Sequence, residues 1–328
     1  VSGLIGDSAS DVSLAVVVPC YRETANVLDT LAKIPAEVAT IYCVDDGCPD
    51  ATGDYIERHC DDPRVRILRR EMNGGVGAAM VTGYRQALLD GADIIVKIDG
   101  DGQMDPASIL QFVTPIIEGH ADYTKGNRFF VLADLAGMPR RRLFGNAVLS
   151  FLTKLSTGYW RNFDPTNGYT AIHGRVLKLL PLDKLQPGYF FESDMLYRLS
   201  TIRARVVDIP LTAIYADEES HLNDLKIIPV FATRHLRNFL SRIFYCYFLR
   251  DFHLASLQWL LGPALMLFGG TFGLFKWQQS ISLGIEASAG TVMLAGLPLI
   301  IGLQLLLSAI GFDIDNQPTT ALHPQLRE

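Results

Sequence analysis

Residues 94–105 read Ile-Ile-Val-Lys-Ile-Asp-Gly-Asp-Gly-Gln-Met-Asp, an apolar strand that runs straight into two carboxylates, Asp99 and Asp101, spaced one residue apart. Carboxylates at a strand end are not core residues. Gly100 and Gly102 permit a short turn in which both carboxylates and the Gln103 carbonyl converge on one point. An all-oxygen arrangement of that kind suits a hard cation, Mg²⁺ or Mn²⁺, and such an ion commonly holds a diphosphate. The plainer reading is a polar surface turn in which Asp105 caps a helix with Pro106 at its first position. That accounts for Asp105 and Pro106 and leaves Asp99 and Asp101 without a task.

Working outward, short β-rich runs alternate with helical periods through the first two hundred residues, the pattern of a mostly parallel sheet covered by helices. Ser13 to Val18, Ile41 to Val44, Val65 to Leu68 and Ile94 to Ile98 are the clearest strands. Val27, Leu28, Leu31 and Ile34 fall at helix spacing, and Asp50 is placed to cap a helix carrying Tyr55, Ile56 and His59. In such sheets the ligand lies beyond the carboxyl ends of the strands. Those ends carry Tyr21 and Glu23, then Asp45 and Asp46, then Asp99 and Asp101, so three strand ends aim acidic or aromatic groups at one crevice. Asn73-Gly74-Gly75-Val76-Gly77-Ala78-Ala79 invites a dinucleotide reading, but the last position of the fingerprint, counted from Gly75, is Met80. Two readings stay open for Gly75 and Gly77: backbone amides approaching a ligand phosphate or ribose, and a tight turn with close helix packing.

The chain has 328 residues, 49% of them apolar and 20% charged, an apolar excess that lies at one end. No charged residue occurs from Leu254 to Phe275, nor from Ala287 to Phe312, and each run is long enough to cross a hydrocarbon core of about 30 Å as a helix. Joined by a short linker, they form a membrane hairpin; two buried core helices are the alternative. Arg234, Arg237, Arg242 and Arg250 precede the first span, while the linker offers only Lys276 against Glu286. The positive-inside bias therefore places the large N-terminal domain in the cytoplasm, at an inner (plasma) membrane. Leu14 to Val18 is too short for a signal peptide and lacks its basic flank. A net charge of −6 argues against nucleic acid as a partner. Five cysteines without C-x-x-C pairs read as reduced thiols.

Along residues 230 to 247, Leu236, Phe239, Leu240, Ile243, Phe244 and Tyr247 share one helical arc, and Arg234, His235, Asn238, Ser241 and Arg242 share the other. Such a helix lies at the headgroup level, or packs its apolar arc on the rest of the protein. An arginine triplet, residues 140 to 142, precedes a further helix; two readings stay open, a solvated face and one arginine meeting a lipid phosphate or headgroup.

With these residues in hand, the chain resembles the inverting family 2 glycosyltransferases of the GT-A fold, specifically the polyprenyl-phosphate glycosyltransferases that include dolichyl-phosphate mannose synthase. The matching pieces are residues 16–23, Val-Val-Val-Pro-Cys-Tyr-Arg-Glu; residues 44–50, Val-Asp-Asp-Gly-Cys-Pro-Asp; the Asp99 to Gln103 turn; Gly126-Asn127-Arg128; and residues 164–169, Asp-Pro-Thr-Asn-Gly-Tyr. They cover about two-thirds of the chain in order, a far more specific signal than any one of them. The resemblance implies that Pro19, Tyr21, Glu23 and Asp46 or Asp45 hold the base and ribose of a nucleotide sugar. It implies that Asp99, Asp101 and Gln103 bind Mg²⁺ or Mn²⁺ on the diphosphate. Arg128, Arg142 and Asn146 match positions that face the acceptor phosphate; Asp164, Asn167 and Glu192 match positions lining the sugar and acceptor pocket. Asn167 and Tyr169 depart from the usual Ser-Gly-Phe, so sugar identity does not transfer; His221 replaces the lysine of a mobile Glu-Ser-Lys-Leu loop, so that lysine's phosphate contact does not transfer either.

The expected architecture is a Rossmann-like GT-A domain over residues 1–225, an amphipathic juxtamembrane helix over 226–252, a transmembrane hairpin over 253–312 and a polar, loose tail over 313–328. The expected activity is inverting transfer of a monosaccharide from a UDP- or GDP-sugar, with a lean to UDP, to a polyprenyl phosphate at the cytoplasmic membrane face. Its partners would be that donor, the lipid acceptor, the bilayer and a second copy through the glycine-rich spans. The competing readings are a processive polysaccharide synthase, which lacks its Q-x-x-R-W motif here, and a non-catalytic nucleotide-sugar-binding scaffold for a flippase.

Overall fold

The structure, a computed structural model, describes residues 12–130, 140–211 and 224–326, without the side chains of 140–142 and 224–227. Two compact units are present: one holds residues up to 238 together with 318–328, the other residues 239–317.

The first unit is built on β1 (Leu14–Cys20), β2 (Thr40–Asp45), β3 (Val65–Arg69), β4 (Ile94–Lys97), β5 (Tyr123–Asn127), β6 (Thr170–His173) and β7 (Val206–Pro210). They form one sheet in the order β3-β2-β1-β4-β6-β5-β7. The β3-β2-β1-β4 half is parallel throughout, β6 runs antiparallel to both β4 and β5, and β5 pairs parallel with β7. Central β1, Leu-Ala-Val-Val-Val-Pro-Cys, is buried at every position but Pro19, as expected for a strand covered on both faces. The helices of this unit are α1 (Val27–Ala32), α2 (Thr52–His59), α3 (Val76–Leu89), α4 (Ile109–Ile117), α5 (Arg140–Thr157), α6 (Gly174–Lys178) and α7 (Phe191–Thr201), followed by the start of α8 (Asp224–Phe244). One apolar core gathers α1 and α4 with Val16, Val18 and Ile41; the other gathers α3 and α7 with Val17, Tyr42 and Ile95. The alternation along β1 thus feeds both faces.

All four strands expected from the sequence are present, and Asp105 caps the turn at Pro106 by accepting the Ala107 N–H at 3.0 Å. Asp50 does not cap α2. That helix starts after Ala51 in a left-handed conformation, and its Gly53 N–H is taken at 2.8 Å by Asp45, from the end of β2. The polar residues after 317 are not a loose tail either. Asp122, fully buried at the start of β5, accepts the Leu322 and His323 N–H groups, and the His323 ring stacks on His173 at 4.2 Å. A buried carboxylate needs such donors, and the chain end supplies them.

In the second unit, α9 (Leu254–Leu283) and α10 (Ala289–Asp315) are 30 and 27 residues long, each enough to span a membrane by length and composition. What this pair buries is small, Ala255, Ser256, Gly262, Gly269, Gly302 and Ala309, apart from one carboxylate, Asp313. A Cβ on Gly302 would lie 2.7 Å from the Gly262 carbonyl oxygen, so only glycine allows this approach.

The amphipathic reading of residues 230–247 is corrected in one respect. Leu236, Leu240 and Phe244 are exposed, whereas His235, Asn238 and Arg242, on the polar arc, are buried. Each of two buried polar groups has a partner within its own unit. His235 Nδ1 lies 2.9 Å from Ser156 Oγ, and Arg242 makes two hydrogen bonds of 2.7 and 2.9 Å to Asp313, whose Oδ1 also accepts the Tyr247 hydroxyl at 2.6 Å.

Candidate active site

At the carboxyl end of β4 the chain turns through Gly102 at φ +76°, a conformation that favours glycine, and the Gln103 N–H donates to Asp101 Oδ1 at 2.9 Å. Asn26, beside α1, donates from Nδ2 to the Asp101 carbonyl at 3.0 Å, and the Glu23 side chain passes close to Gly100. The ends of β1 and β4 are therefore joined, as the strand-end reading requires. Pro19 is half-buried, and Tyr21, 39% exposed, has the Arg22 guanidinium 5.6 Å from its ring centroid.

Asp99, at the same strand end, meets a buried ammonium. Its Oδ1 pairs at 2.7 Å with Lys97 Nζ, which also donates to the Gly168 carbonyl at 3.2 Å and lies 3.4 Å from Glu192 Oε1 on α7. Lys97 is 1% exposed. Burial opposes its charge, but Asp99 and Glu192 outweigh burial and hold the ammonium charged to well above the usual lysine range. Burial pushes the Glu192 carboxyl up, against the pull of Lys97. Gly168 sits against this group so closely that a Cβ would meet both Asp99 Oδ2 and Lys97 Nζ.

Residues 164–169 tie that cluster to the end of β5. Asp164, buried and at φ +53°, accepts Arg128 Nε at 2.8 Å and Nη2 at 2.9 Å in a fork, the Arg128 N–H at 3.2 Å, and Asn167 Nδ2 at 3.1 Å. Burial would raise the Asp164 carboxyl, yet the Arg128 guanidinium outweighs it and holds the group below the usual carboxylate range. Asn167 Oδ1 accepts the Tyr169 N–H at 3.0 Å, and the Tyr169 ring stacks on Phe112 at 4.0 Å. One loop thus positions Arg128, Asn167, Asp99 and, through Lys97, Glu192. Asn146 lies half-buried on α5; the Arg142 side chain and His221 lie outside the described residues.

Four sequence candidates have structural tasks inside the protein. Asp45 gives Oδ1 to the Cys48 N–H and Oδ2 to the Gly53 N–H, both at 2.8 Å. Asp46 accepts the Gly74 and Gly75 N–H groups and pairs with Arg70 Nε at 2.7 Å. The Gly77 N–H donates to the Pro187 carbonyl at 2.8 Å, and a Cβ there would collide with the Gln186 carbonyl oxygen. The amides of Gly75 and Gly77 therefore serve the packing reading: they bind Asp46 and the 186–188 loop rather than standing open to a phosphate. Sequence reasoning missed Lys97, Asn26 and Gly168. Lys97 left a signal, a lysine between Val96 and Ile98 in an otherwise apolar strand.

Among the described residues no three His, Cys, Asp or Glu side chains are close enough to hold a metal ion. The donors at the turn, Asp99, Asp101 and Gln103, are all oxygens, which fits a hard divalent cation. Such an ion is commonly held by one or two carboxylates together with substrate phosphates rather than by a protein cage.

Glycosyl transferase family 2 matches residues 15–180, and the chain belongs to that family. Within it, the chain is similar to the undecaprenyl-phosphate mannosyltransferase of Micrococcus luteus, at 29% identity over 202 residues, covering 60% of this chain and 82% of the relative. It is 29% identical over 224 residues to the UDP-N-acetylglucosamine–dolichyl-phosphate N-acetylglucosaminyltransferase of Methanococcus voltae, covering 63% and 88%. It is 28% identical over 202 residues to the polyprenol monophosphomannose synthase of Mycolicibacterium smegmatis, covering 60% and 76%. The fold is shared with glucosyl-3-phosphoglycerate synthase from Mycobacterium tuberculosis in complex with Mn²⁺, UDP and glucosyl-3-phosphoglycerate, at a TM-score of 0.53 and 19% identity over 72% of this chain and 81% of that one.

Proposed function

We propose that this protein transfers a monosaccharide from a UDP- or GDP-sugar to a polyprenyl phosphate at the cytoplasmic face of a membrane, with inversion at the anomeric carbon. The observation that carries the reading is the coupled cluster at the ends of β4 and β5, in a chain that also has two membrane-length helices with outward apolar side chains. Relatives named for transfer to undecaprenyl, polyprenol or dolichyl phosphate support the lipid acceptor.

In this reading Pro19, Tyr21 and Glu23 receive the base and ribose. Asp99, Asp101 and Gln103 would hold Mg²⁺ or Mn²⁺ against the diphosphate; when bound, the ion neutralises charge developing on the leaving group. The lipid phosphate needs no dedicated base, because a phosphate monoester with a second pKa of about 6 is already dianionic near pH 7. Arg128, fixed by its fork to Asp164, with Arg142 and Asn146, aligns that phosphate with the anomeric carbon. Glu192 and Asn167 line the sugar.

The test incubates the purified chain in detergent with polyprenyl phosphate, Mg²⁺ or Mn²⁺, and labelled UDP-glucose, UDP-N-acetylglucosamine or GDP-mannose in turn. Label enters the organic phase with one donor, and chelation or Asp101→Ala removes about 99% of it or more. Absence of organic-phase label with every donor overturns the proposal.

A further inference from the structure

Lys97 is a fully buried cation whose ammonium touches a candidate metal ligand. Its three oxygen partners come from three parts of the chain: Asp99 at its own strand end, the Gly168 carbonyl in the 164–169 loop, and Glu192 at the start of α7. The side chain is 1% exposed and Glu192 is 12% exposed, so water screens neither charge well. Two carboxylates and one ammonium leave this corner with a single net negative charge, and one oxygen of Asp99 is committed to the lysine. The donor set in this corner is therefore weaker than two bare aspartates would be, and no third acidic or histidine ligand completes it among the described residues.

We propose that Lys97 is a positioning residue that makes divalent-metal capture depend on the nucleotide. By pairing with Asp99 it withholds from a lone cation the full charge of the aspartate pair. A cation that arrives with a nucleoside diphosphate brings its missing oxygens and negative charge on the phosphates, and is held. The same pairing restrains the Asp99 carboxylate, since Oδ1 is held by Lys97 and Oδ2 lies against Gly168. The consequence is that metal and diphosphate enter and leave as one unit. The inference rests on the nucleotide-sugar reading above and deepens it.

The test is an electron paramagnetic resonance titration of Mn²⁺ with the full-length chain in detergent, alone and with UDP or GDP, alongside steady-state kinetics. Wild type should bind Mn²⁺ at least about tenfold more tightly with the cognate nucleotide than without it. Lys97→Met removes a positive charge beside the ion, so nucleotide-free Mn²⁺ binding should tighten by about tenfold or more while kcat falls because Asp99 loses its orientation. Glu192→Gln keeps Lys97 and removes the second counter-charge, so nucleotide-free Mn²⁺ binding should weaken. Opposite shifts in the two variants support the proposal; a general loosening of the fold would move both the same way, and that result overturns it. If Lys97→Met does not fold, Glu192→Gln alone decides, with weaker binding supporting the proposal and unchanged or tighter binding overturning it. Unaltered Mn²⁺ affinity in Lys97→Met, with wild type still binding Mn²⁺ and nucleotide together, overturns the inference and leaves the proposed function standing. Failure of wild type to bind Mn²⁺ with either nucleotide overturns both.

Discussion

The sheet unit and the helical pair bury opposite kinds of residue. In the sheet unit Val16, Val17, Ile41, Ile95 and Phe112 have no exposed surface, while in the helical pair Leu267 and Ile300 are 69% and 64% exposed and the contacts are made through Gly262, Gly269 and Gly302. Water drives the first arrangement, because apolar surface leaves it on folding. It cannot drive the second, whose long side chains face outward. That pattern suits a lipid solvent, in which small residues let helix backbones approach. The two units share one habit. Each buries charged pairs: Asp164 with Arg128 and Lys97 with Asp99 in one, Asp313 with Arg242 in the other.

The sharpest way to break this comparison is to leave one of those charges alone. Asp313→Ala removes both acceptors of Arg242 and the acceptor of the Tyr247 hydroxyl, and should destabilise the helical unit by about 3–5 kcal/mol, read as earlier unfolding in detergent. Replacing both charges, Arg242→Met with Asp313→Leu, should recover most of that loss. A single variant as stable as wild type would show that the pair is not buried in the working protein.

Gly168→Ala probes the sheet unit, where the expected effect falls on chemistry rather than folding. The added methyl meets the ends of two side chains, Asp99 and Lys97, which move aside more readily than backbone does. Transfer should fall about a hundredfold, equivalent to about 2.7 kcal/mol, with the unfolding temperature nearly unchanged. Equal losses of activity and stability would show that the loop supports the fold rather than the site.

In the helical pair, Gly302→Leu should cost about 1–3 kcal/mol because its Cβ position lies against the Gly262 carbonyl and the Met266 backbone. Gly296, on the same helix with open space around its Cβ position, should accept leucine without loss. The difference between the two, measured by thermal unfolding in detergent, isolates helix contact from helix propensity.

These experiments follow a division in what the chain itself discloses. The strands and the Asp99 to Gln103 turn are legible in sequence because a strand that changes from apolar to acidic in one step has a local cause. The two membrane-length helices are equally local, since length and lack of charge suffice. Pairing is not local. Arg128 meets Asp164 across 36 residues, Arg242 meets Asp313 across 71, and His323 meets Asp122 across 201. Nothing in the composition of either partner names the other. For the same reason Asp45, Asp46, Gly75 and Gly77 read as ligand-facing from their motifs, although their hydrogen bonds are made within the protein. The buried arc of α8 is equally illegible in sequence, because Ser156 and Asp313, which receive His235 and Arg242, lie far along the chain.

The smallest expected effect is a pH slope, and it belongs to the sheet unit. Burial pushes His173 down to about 4, with the His323 and Arg175 charges adding to the effect, and burial alone pushes His235 down to about 4. Both are neutral in the fold and titrate near 6.5 when unfolded. As pH falls from about 6.5 toward 4, the unfolded chain takes up protons that the fold refuses, so stability declines through that window. Asp122 acts at its acid end. Burial raises its carboxyl, but the His323 hydrogen bonds outweigh burial and hold it below the usual range, so its contribution is present above the unfolded value and lost as pH falls through the folded one. His173→Asn keeps an acceptor for the Arg175 N–H and removes one titrating ring. Unfolding temperatures measured from pH 7 to pH 4.5 should therefore fall less steeply than in wild type, with the remaining slope carried by His235 and, at the acid end, by Asp122. A variant slope equal to that of wild type would place the acid sensitivity outside this contact between the chain end and β6.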